Sequence, residues 1–566
     1  MTTPDRATEA TPWGRDLLWL TVGFGLLYFF LLGRAPLANP DEGRYGEIPR
    51  EMVATGDWVT PRLDGVNYFE KPPLMYWAVA VALKALGGNE GVLRTMPALF
   101  GLAGVLLTYA AARRLYGRAA GLGAAVVLGS CALYAALARL LILDMAVSVL
   151  MSATLFCFIL GVLEPAGRRR RWLFYGLYAS AALATLTKGL MGFLVTGAVM
   201  LLWLAVCGQW RRLRPLYLPS GVLLFLLLAA PWHLLAAARN PTWAHFYFIH
   251  EHWERFTTTT HGRFHPWYWF IPILLGGLFP WVGWLWAGLR AALAGGWAQR
   301  AEKASPWFFL IWAGFIFAFF SKSQSKLAPY ILPVFPPLAV LIGLVLGPAW
   351  RDQSFRTVAR GLWTFVLLCG VVAAALVVAA WIPARFRIEP ADAERLRPIA
   401  LTAAAVLVGG AVAALLAAYR RETRAALTAV VMTMALFLAV LEFGTGLFGP
   451  PSTKAVARWV RTHVRPGDRI FFYAGFFHDF LFYSRQPVGA VGFHGDEVEL
   501  LNDPAAAASG RFIEKPAFLA QWAQAGRILV LARRSAPETG ALLGDPAFHY
   551  HLLLQTRDFY LFSNQL

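Results

Sequence analysis

Between Asn39 and Pro73 the sequence reads NPDEGRYGEIPREMVATGDWVTPRLDGVNYFEKPP. Seven acids (Asp41, Glu42, Glu47, Glu51, Asp57, Asp64 and Glu70) and four bases (Arg44, Arg50, Arg62 and Lys71) lie in this one stretch of a chain whose residues are 58% hydrophobic. So dense a polar segment beside an apolar one offers a carboxylate, Asp41, that can accept a proton from a nucleophile or orient it. It also offers a cation, Lys71, that can hold a phosphate oxygen by a charge-assisted bond. The plainer alternatives are that Asp41 starts a helix after the first apolar run, as Pro-Asp-Glu suits, and that Lys71 pairs with Glu70 or snorkels.

Two further polar places stand out, because ionisable residues at membrane depth are rare and usually functional. One is Arg139 with Asp144 in ARLLILDMAV, where the bland reading is an ion pair between the two. The other is HEHWERF, His250 to Phe256. Its Arg255 is a second candidate phosphate cation, with pairing to Glu254 as the alternative. His250 and His252 together with Glu70 are candidate ligands for a divalent cation, zinc being the usual choice for mixed nitrogen and oxygen donors. Their i, i+2 spacing brings both imidazoles to one ion only on an extended stretch, and His261, His265 and His478 are further candidates. Lys188, Lys322, Lys326 and Tyr330 fall near predicted span ends, where such residues more often anchor the interface.

These residues need a frame, and composition says which kind. The chain has 566 residues with 14% aromatics and a mean hydropathy of +0.53, against roughly 45–50% apolar residues in soluble domains. Apolar runs of about 20 residues fit helices that cross a hydrocarbon core of roughly 30 Å, whereas barrel strands are about 10 residues long and alternate. After a loose polar start, a first span over 17–32 is expected. It lacks a small-residue cleavage site and is read as an anchor, not a signal. Twelve more are expected near 91–112, 119–137, 145–163, 172–187, 190–207, 217–237, 267–289, 307–321, 329–347, 361–383, 398–418 and 425–446, about thirteen in all. Within the acidic loop, 33–90, short interfacial helices are expected over Pro49–Trp58 and Pro73–Leu86.

The net charge of +19 would suggest nucleic acid on a soluble protein. Here the bases gather in short loops: Arg113, Arg114 and Arg118; Arg168 to Arg171; Arg211, Arg212 and Arg214; Arg290, Arg300 and Lys303; Arg351, Arg356 and Arg360; Arg420, Arg421 and Arg424. They alternate as cytoplasmic loops should, so topology explains most of the charge, anionic membrane lipid some of it, and nucleic acid none. The acidic loop, the 239–266 loop and the C-terminus then share the opposite side, which in a bacterium is the periplasm. The four cysteines lie in or beside apolar runs without CxxC spacing and are read as small buried hydrophobes. Residues 447–566 are polar enough to form a soluble α/β domain, with RIFFYAG and RILVLARR as buried strands and 452–465 as a short helix. The division is thus 1–446, a transmembrane domain carrying the loop, and 447–566. No P-loop or GxGxxG occurs, so no nucleotide cofactor is expected.

In order along the chain, NPDEGRYGEIPREM, YFEKPPLMYW, LILDM, TKG, EHWERF and KLAPYILPVFPPLA resemble the bacterial lipid A 4-amino-4-deoxy-L-arabinose transferase family, GT-C glycosyltransferases related to protein O-mannosyltransferases. The resemblance covers most of the membrane part, and the C-terminal 120 residues fit by position and length. It implies an undecaprenyl-phosphate-linked sugar as donor and lipid A as acceptor, in the bacterial inner membrane. It further implies Asp41 and Asp144 as essential carboxylates; Lys71, Arg255 and Tyr330, with Tyr68 nearby, gripping the donor phosphate; and a metal by Glu70 and a histidine of HEHWERF. A monomer is expected. The competing readings are a GT-C transferase acting on protein Ser/Thr or another glycolipid, and a transporter. A transporter predicts inverted repeats and broken helices meeting at mid-membrane, whereas here the polar residues fall in a long loop at one face.

Overall fold

A computed structural model describes residues 13–247, 265–383, 390–449, 451–493, 509–524 and 526–566. In chain order the main helices are α1 Trp13–Phe29, α2 Asp41–Thr55, α3 Leu74–Leu86, α4 Glu90–Tyr116, α5 Arg118–Ser130, α6 Ala132–Leu137, α7 Leu143–Leu163, α8 Arg168–Lys188, α9 Met191–Cys207, α10 Leu218–Arg239, α11 Phe270–Gly277, α12 Val282–Ala292, α13 Ala304–Lys322, α14 Phe335–Arg351, α15 Phe355–Trp381, α16 Pro390–Tyr419 and α17 Thr423–Phe448. Helix stands at each of the thirteen expected segments. Among the described residues, eight helical stretches are long and apolar enough to cross a membrane, or nine if a bent pair counts as one span. That pair, Trp267–Gly277 with Val282–Ala292, turns by 106° around Phe279 and Pro280, where proline cannot continue the hydrogen-bond ladder. The segment expected over 119–137 is likewise interrupted, at Cys131, whose backbone is extended. Rows of exposed apolar side chains such as Trp363, Leu367 and Val371 on α15 present one stripe at i, i+4 spacing outward, as a lipid-facing surface requires.

Among the described residues the chain gathers into two compact units. Met1–Leu32, Arg94–Leu235 and Phe248–Phe448 form a helical unit; Gly33–Leu93, Ala236–Tyr247 and Gly449–Leu566 form a loop–sheet unit. The acidic loop therefore belongs with the C-terminal residues, and the sequence division at 446 does not follow the packing.

In the helical unit α7 packs on α8, α5 on α14, and α15, α16 and α17 in succession. Four of its buried tryptophans find an acceptor for the indole N–H: Trp203 donates to the Ala304 carbonyl (2.7 Å), Trp281 to Ser130 Oγ (2.9 Å), Trp284 to the Val358 carbonyl (3.1 Å) and Trp312 to the Pro333 carbonyl (2.9 Å). Polar hydrogens buried away from water demand such partners. Asp16 on α1 is likewise enclosed by Tyr109 (2.6 Å), Arg113 (3.0 Å) and Arg118 (2.7 Å). The α5–α14 seam is built from small residues: a Cβ on Gly343 would stand 2.5 Å from the Ala124 nitrogen, and one on Gly347 2.1 Å from the Ala119 carbonyl oxygen. This is the close backbone approach that small residues four apart allow in membranes.

The loop–sheet unit holds α2, α3 and the hairpin β1 Arg62–Leu63 and β2 Val66–Asn67, followed after the membrane helices by α18 Lys454–His463, β3 Arg469–Tyr473, α19 His478–Ser484, β4 Gly489–Val491, β5 Phe512–Ile513, α20 Lys515–Trp522, β6 Ile528–Arg533, α21 Pro537–Leu543, β7 His551–Gln555 and β8 Phe559–Ser563. The sheet order is β5-β4-β3-β6-β8-β7. The first four are parallel and the last two join antiparallel. RIFFYAG and RILVLARR supply the two central parallel strands, as their unbroken apolar runs imply, and the expected helix over 452–465 is α18. In the loop, the helix expected over Pro49–Trp58 instead begins at Asp41 and carries Pro49 inside it.

Replacing Gly347 by Leu must push α5 and α14 apart. We expect a loss of about 1–3 kcal/mol, read as a lower melting temperature in detergent, while Ala at Gly314, which has nothing within 4 Å of its Cβ position, leaves it unchanged. Equal melting of Gly347→Leu and the parent chain would contradict the seam.

Candidate active-site clusters

The first cluster is assembled in the loop–sheet unit by the start of α2 and the chain after the hairpin. Glu42 turns back so that its Oε2 accepts the Ala38 N–H (2.9 Å), capping the helix start and leaving the adjacent Asp41 to face outward. The Asp41 side chain is 46% exposed, while Arg44, one turn later, is 7% exposed. The Arg44 guanidinium donates to Asp41 Oδ1 (2.8 Å) and to the Tyr68 hydroxyl (3.1 Å), and stands 3.7 Å from Glu70 Oε1. Burial opposes its charge, but Tyr68, Glu70, Tyr45 and Asp41 around it outweigh that and hold its pKa well above the usual value. Lys71, 8% exposed, donates to its neighbour's backbone, the Glu70 carbonyl (2.9 Å), and its Nζ stands 3.7 Å from Glu70 Oε2.

Asp-Gly at 64–65 turns the hairpin that presents Tyr68, Glu70 and Lys71. Both residues have positive φ, 56° and 77°, the two-residue turn for which this dipeptide is the strongest short-range signal. Thus Asp41, Tyr68, Glu70 and Lys71 are brought together as expected, around an arginine that the sequence reading left unassigned. An i, i+3 pair on one helix face, Asp41 and Arg44, was the available signal.

The second cluster lies in the helical unit. Asp144 sits in the first turn of α7 and Lys188 closes α8. Consecutive helices joined by a short connection run antiparallel, so these ends coincide, and each charge suits its helix end. Lys188 Nζ donates to Asp144 Oδ1 at 2.5 Å and lies 4.7 Å from the centre of the Tyr330 ring. Asp144 is therefore not the partner of Arg139. That guanidinium instead satisfies the end of α1, donating to the carbonyls of Leu27 (2.8 Å), Tyr28 (2.8 Å) and Phe30 (2.5 Å), with its Nε 2.7 Å from Glu442 Oε1. Helix C-termini leave carbonyls that need such donors.

His250, His252 and Arg255 lie outside the described residues, as does His261. Of the other histidines considered, His265 stacks on Trp269 at 4.3 Å and His478 is buried against Phe476. Among the described residues no three His, Cys, Asp or Glu side chains gather as a metal site. Glu70 alone, with Arg44 and Lys71 both 3.7 Å away, does not make a cation site by itself.

Many apolar helices, carboxylates and bases gathered near helix ends, and no nucleotide motif are features of the GT-C class of lipid-phosphate-dependent glycosyltransferases. The family described as dolichyl-phosphate-mannose-protein mannosyltransferase matches residues 70–234. A curated relative from Pseudomonas aeruginosa, an undecaprenyl phosphate-alpha-4-amino-4-deoxy-L-arabinose arabinosyl transferase, is 33% identical over 72% of this chain and 72% of its own. The chain belongs to that arabinosyl transferase family. A relative of the same description from Pseudomonas fluorescens is 35% identical over 58% of this chain, and the match spans only 59% of that relative's length. The crystal structure of ArnT from Cupriavidus metallidurans bound to undecaprenyl phosphate superposes with a TM-score of 0.83, at 29% identity, over 98% of each chain.

Behind α2, Glu47, Glu51 and Asp64 share a buried pocket with Arg50 and Arg511. Arg50 pairs with Glu47 (2.6 Å), Arg511 with Asp64 (3.0 Å), and Glu51 accepts the Gly65 N–H (3.1 Å). Burial, then the nearby Glu47, pushes Glu51 up to about 8. Burial pushes Asp64 up to about 7 against the pull of Arg511. Both acids bind protons more tightly folded than unfolded, where their values are about 4. Their contribution to stability is thus complete below about pH 4 and is lost as pH rises toward 7–8. Glu51→Gln is expected to flatten this decline, raising the melting temperature at pH 8 relative to the parent while approaching it near pH 4. A pH profile identical to the parent's would rule out Glu51 as a source.

Proposed function

We propose that the chain transfers 4-amino-4-deoxy-L-arabinose from undecaprenyl phosphate to a phosphate of lipid A. The observation that carries this reading is Lys71, almost fully buried in a cluster with Asp41, Tyr68 and Glu70, in a chain of this family. The undecaprenyl phosphate in the similar ArnT structure supports the donor class. The basic loops support a multi-pass protein of the bacterial inner membrane whose acidic loop and C-terminal residues face the periplasm.

In the transfer, an oxygen of the acceptor phosphate attacks the anomeric carbon while the bond to the undecaprenyl phosphate oxygen breaks and its electron pair stays on the departing phosphate. Charge developing there needs fixed cations in a low-dielectric setting. Lys71 is placed to supply one, with the Tyr68 hydroxyl beside it; the family resemblance adds Arg255 and Tyr330 to that role, and Lys188 holds the Asp144 carboxylate in place. The acceptor is already anionic, so Asp41 orients the acceptor or the sugar's ammonium, and no strong base is required. One displacement inverts the anomeric centre; retention in the product, read by NMR, would exclude a single step. A divalent cation, zinc by the donor types, would take Glu70 with His250 or His252 and supply Lewis-acid charge near the phosphate; no step above depends on it.

Lipid A from cells carrying the parent chain is expected to show the aminoarabinose mass increment, and Asp41→Ala to reduce it by about 100-fold or more. Persistence of the increment in Asp41→Ala removes Asp41 from the mechanism. Its absence with the parent chain, together with sugar on protein Ser/Thr, would favour the mannosyltransferase-like alternative that the match at 70–234 raises. With the transfer intact, the envelope loses negative charge and polymyxin killing falls.

A further inference from the structure

Asp41 takes its position from the first turn of α2, and that turn is held from 440 residues away in the sequence. The Asn39 side-chain amide donates to Asp479 Oδ1 (2.6 Å), and its Oδ1 accepts the Asp479 backbone N–H (3.0 Å). The other carboxylate oxygen, Oδ2, accepts from Ser452 Oγ (2.9 Å) and from the Thr453 N–H (2.8 Å). One fully buried carboxylate thus joins three segments: the entry to α2, the entry to α18 and the start of α19. One turn along α19, on the same face, the Tyr483 hydroxyl accepts the Leu37 N–H (2.9 Å) and donates to Glu90 (2.9 Å). The backbones are in contact as well, since a Cβ on Gly43 would stand 2.4 Å from the Asp479 nitrogen. Ala38, between the two held residues, receives the first amides of the helix, from Glu42 (3.0 Å) and Gly43 (3.3 Å).

We infer that Asp479 is a positioning residue for the transfer: through its paired hydrogen bonds with Asn39 it sets where the first turn of α2 carries Asp41. This rests on the reading of Asp41 given above. An isolated buried carboxylate is costly unless every oxygen is matched to donors, and here both are. The two-way bond to Asn39 makes this arrangement a rigid register pin, not a general packing contact. Catalytic groups lose about 100-fold when displaced by about 1 Å, so a pin this close to Asp41 has leverage on the rate.

The pairing can be reversed. Asp479→Asn alone sets an amide N–H against the Asn39 amide or the Thr453 N–H, and Asn39→Asp alone sets two carboxylates face to face. Made together they restore every bond: the amide at 479 donates to the carboxylate at 39 and accepts from Ser452 and Thr453, and that carboxylate accepts the 479 backbone N–H. In purified full-length protein we expect each single variant to lose about 10–100-fold in kcat with KM for the lipid-linked donor within about twofold. The double variant is expected to recover most of the loss. Amide exchange in residues 36–47 is expected to quicken in the single variants and return in the double.

Parental kcat in Asp479→Asn would overturn the inference. So would a loss that follows the melting temperature alone, or a double variant as slow as the singles. If the parent chain has no activity on lipid A, the function proposed above fails while the exchange measurement still tests the pin.

Discussion

Every charge that this chain places out of reach of water must be met, inside the protein, by an opposite charge or by carbonyl oxygens. An unpaired ion costs several kcal/mol or more to bury, and the rest of the structure is arranged around avoiding that. Asp16 is ringed by two arginines and a tyrosine. Arg139 closes the end of α1 by taking its carbonyls and Glu442. Asp144 has Lys188, and Arg44 has Asp41, Tyr68 and Glu70. The compensations fall into two kinds. The Asp16 group is enclosed by its partners and Arg139 holds the carbonyls at the end of α1, so both fasten helices. The Asp41 and Asp144 groups sit at helix ends and stay partly exposed, Asp41 the more so.

This contrast explains how one short segment serves both stability and chemistry. Within Asp41 and Glu42, adjacent in sequence, one carboxylate is spent on the helix start and the other is left half-exposed. Arg44 joins the two tasks: bonded to Asp41 and Tyr68 and 3.7 Å from Glu70, it fixes Asp41 relative to both. The transfer proposed above calls for that fixity, because electrostatic stabilisation of a departing phosphate depends on groups that do not have to reorganise.

Hydropathy and local motifs made much of this readable from sequence. Helix stands wherever the thirteen apolar runs were expected, because composition marks apolar helices well, although among the described residues only eight or nine stretches are long and apolar enough to span. The two central strands and α18 followed from apolar runs and periodicity. Asp41, Tyr68, Glu70 and Lys71 came out together because NYFEK places three of them within four residues. What stayed hidden were partners remote along the chain: Lys188 for Asp144, Glu442 for Arg139, Asp479 for Asn39. No local periodicity encodes a contact across such distances. Two misses were local. The Asp-Gly turn at 64–65 was legible and passed over. The start of α2 at Asp41 was offered as the plainer alternative, and the helix drawn from Pro49 began eight residues late, because a proline tolerated within the helix marks no boundary there.

The loop–sheet unit is discontinuous, and that has a bearing on how the chain is made. Gly33–Leu93 emerges from the ribosome roughly 350 residues before Gly449–Leu566, which at ordinary translation speeds of about 5–20 residues per second is a delay of some twenty seconds to a minute. Throughout that interval the loop has no sheet to fold against, and its carboxylates remain hydrated. A segment so rich in ions is well suited to wait in water without aggregating, so the polarity that later serves the chemistry first serves as protection during biogenesis.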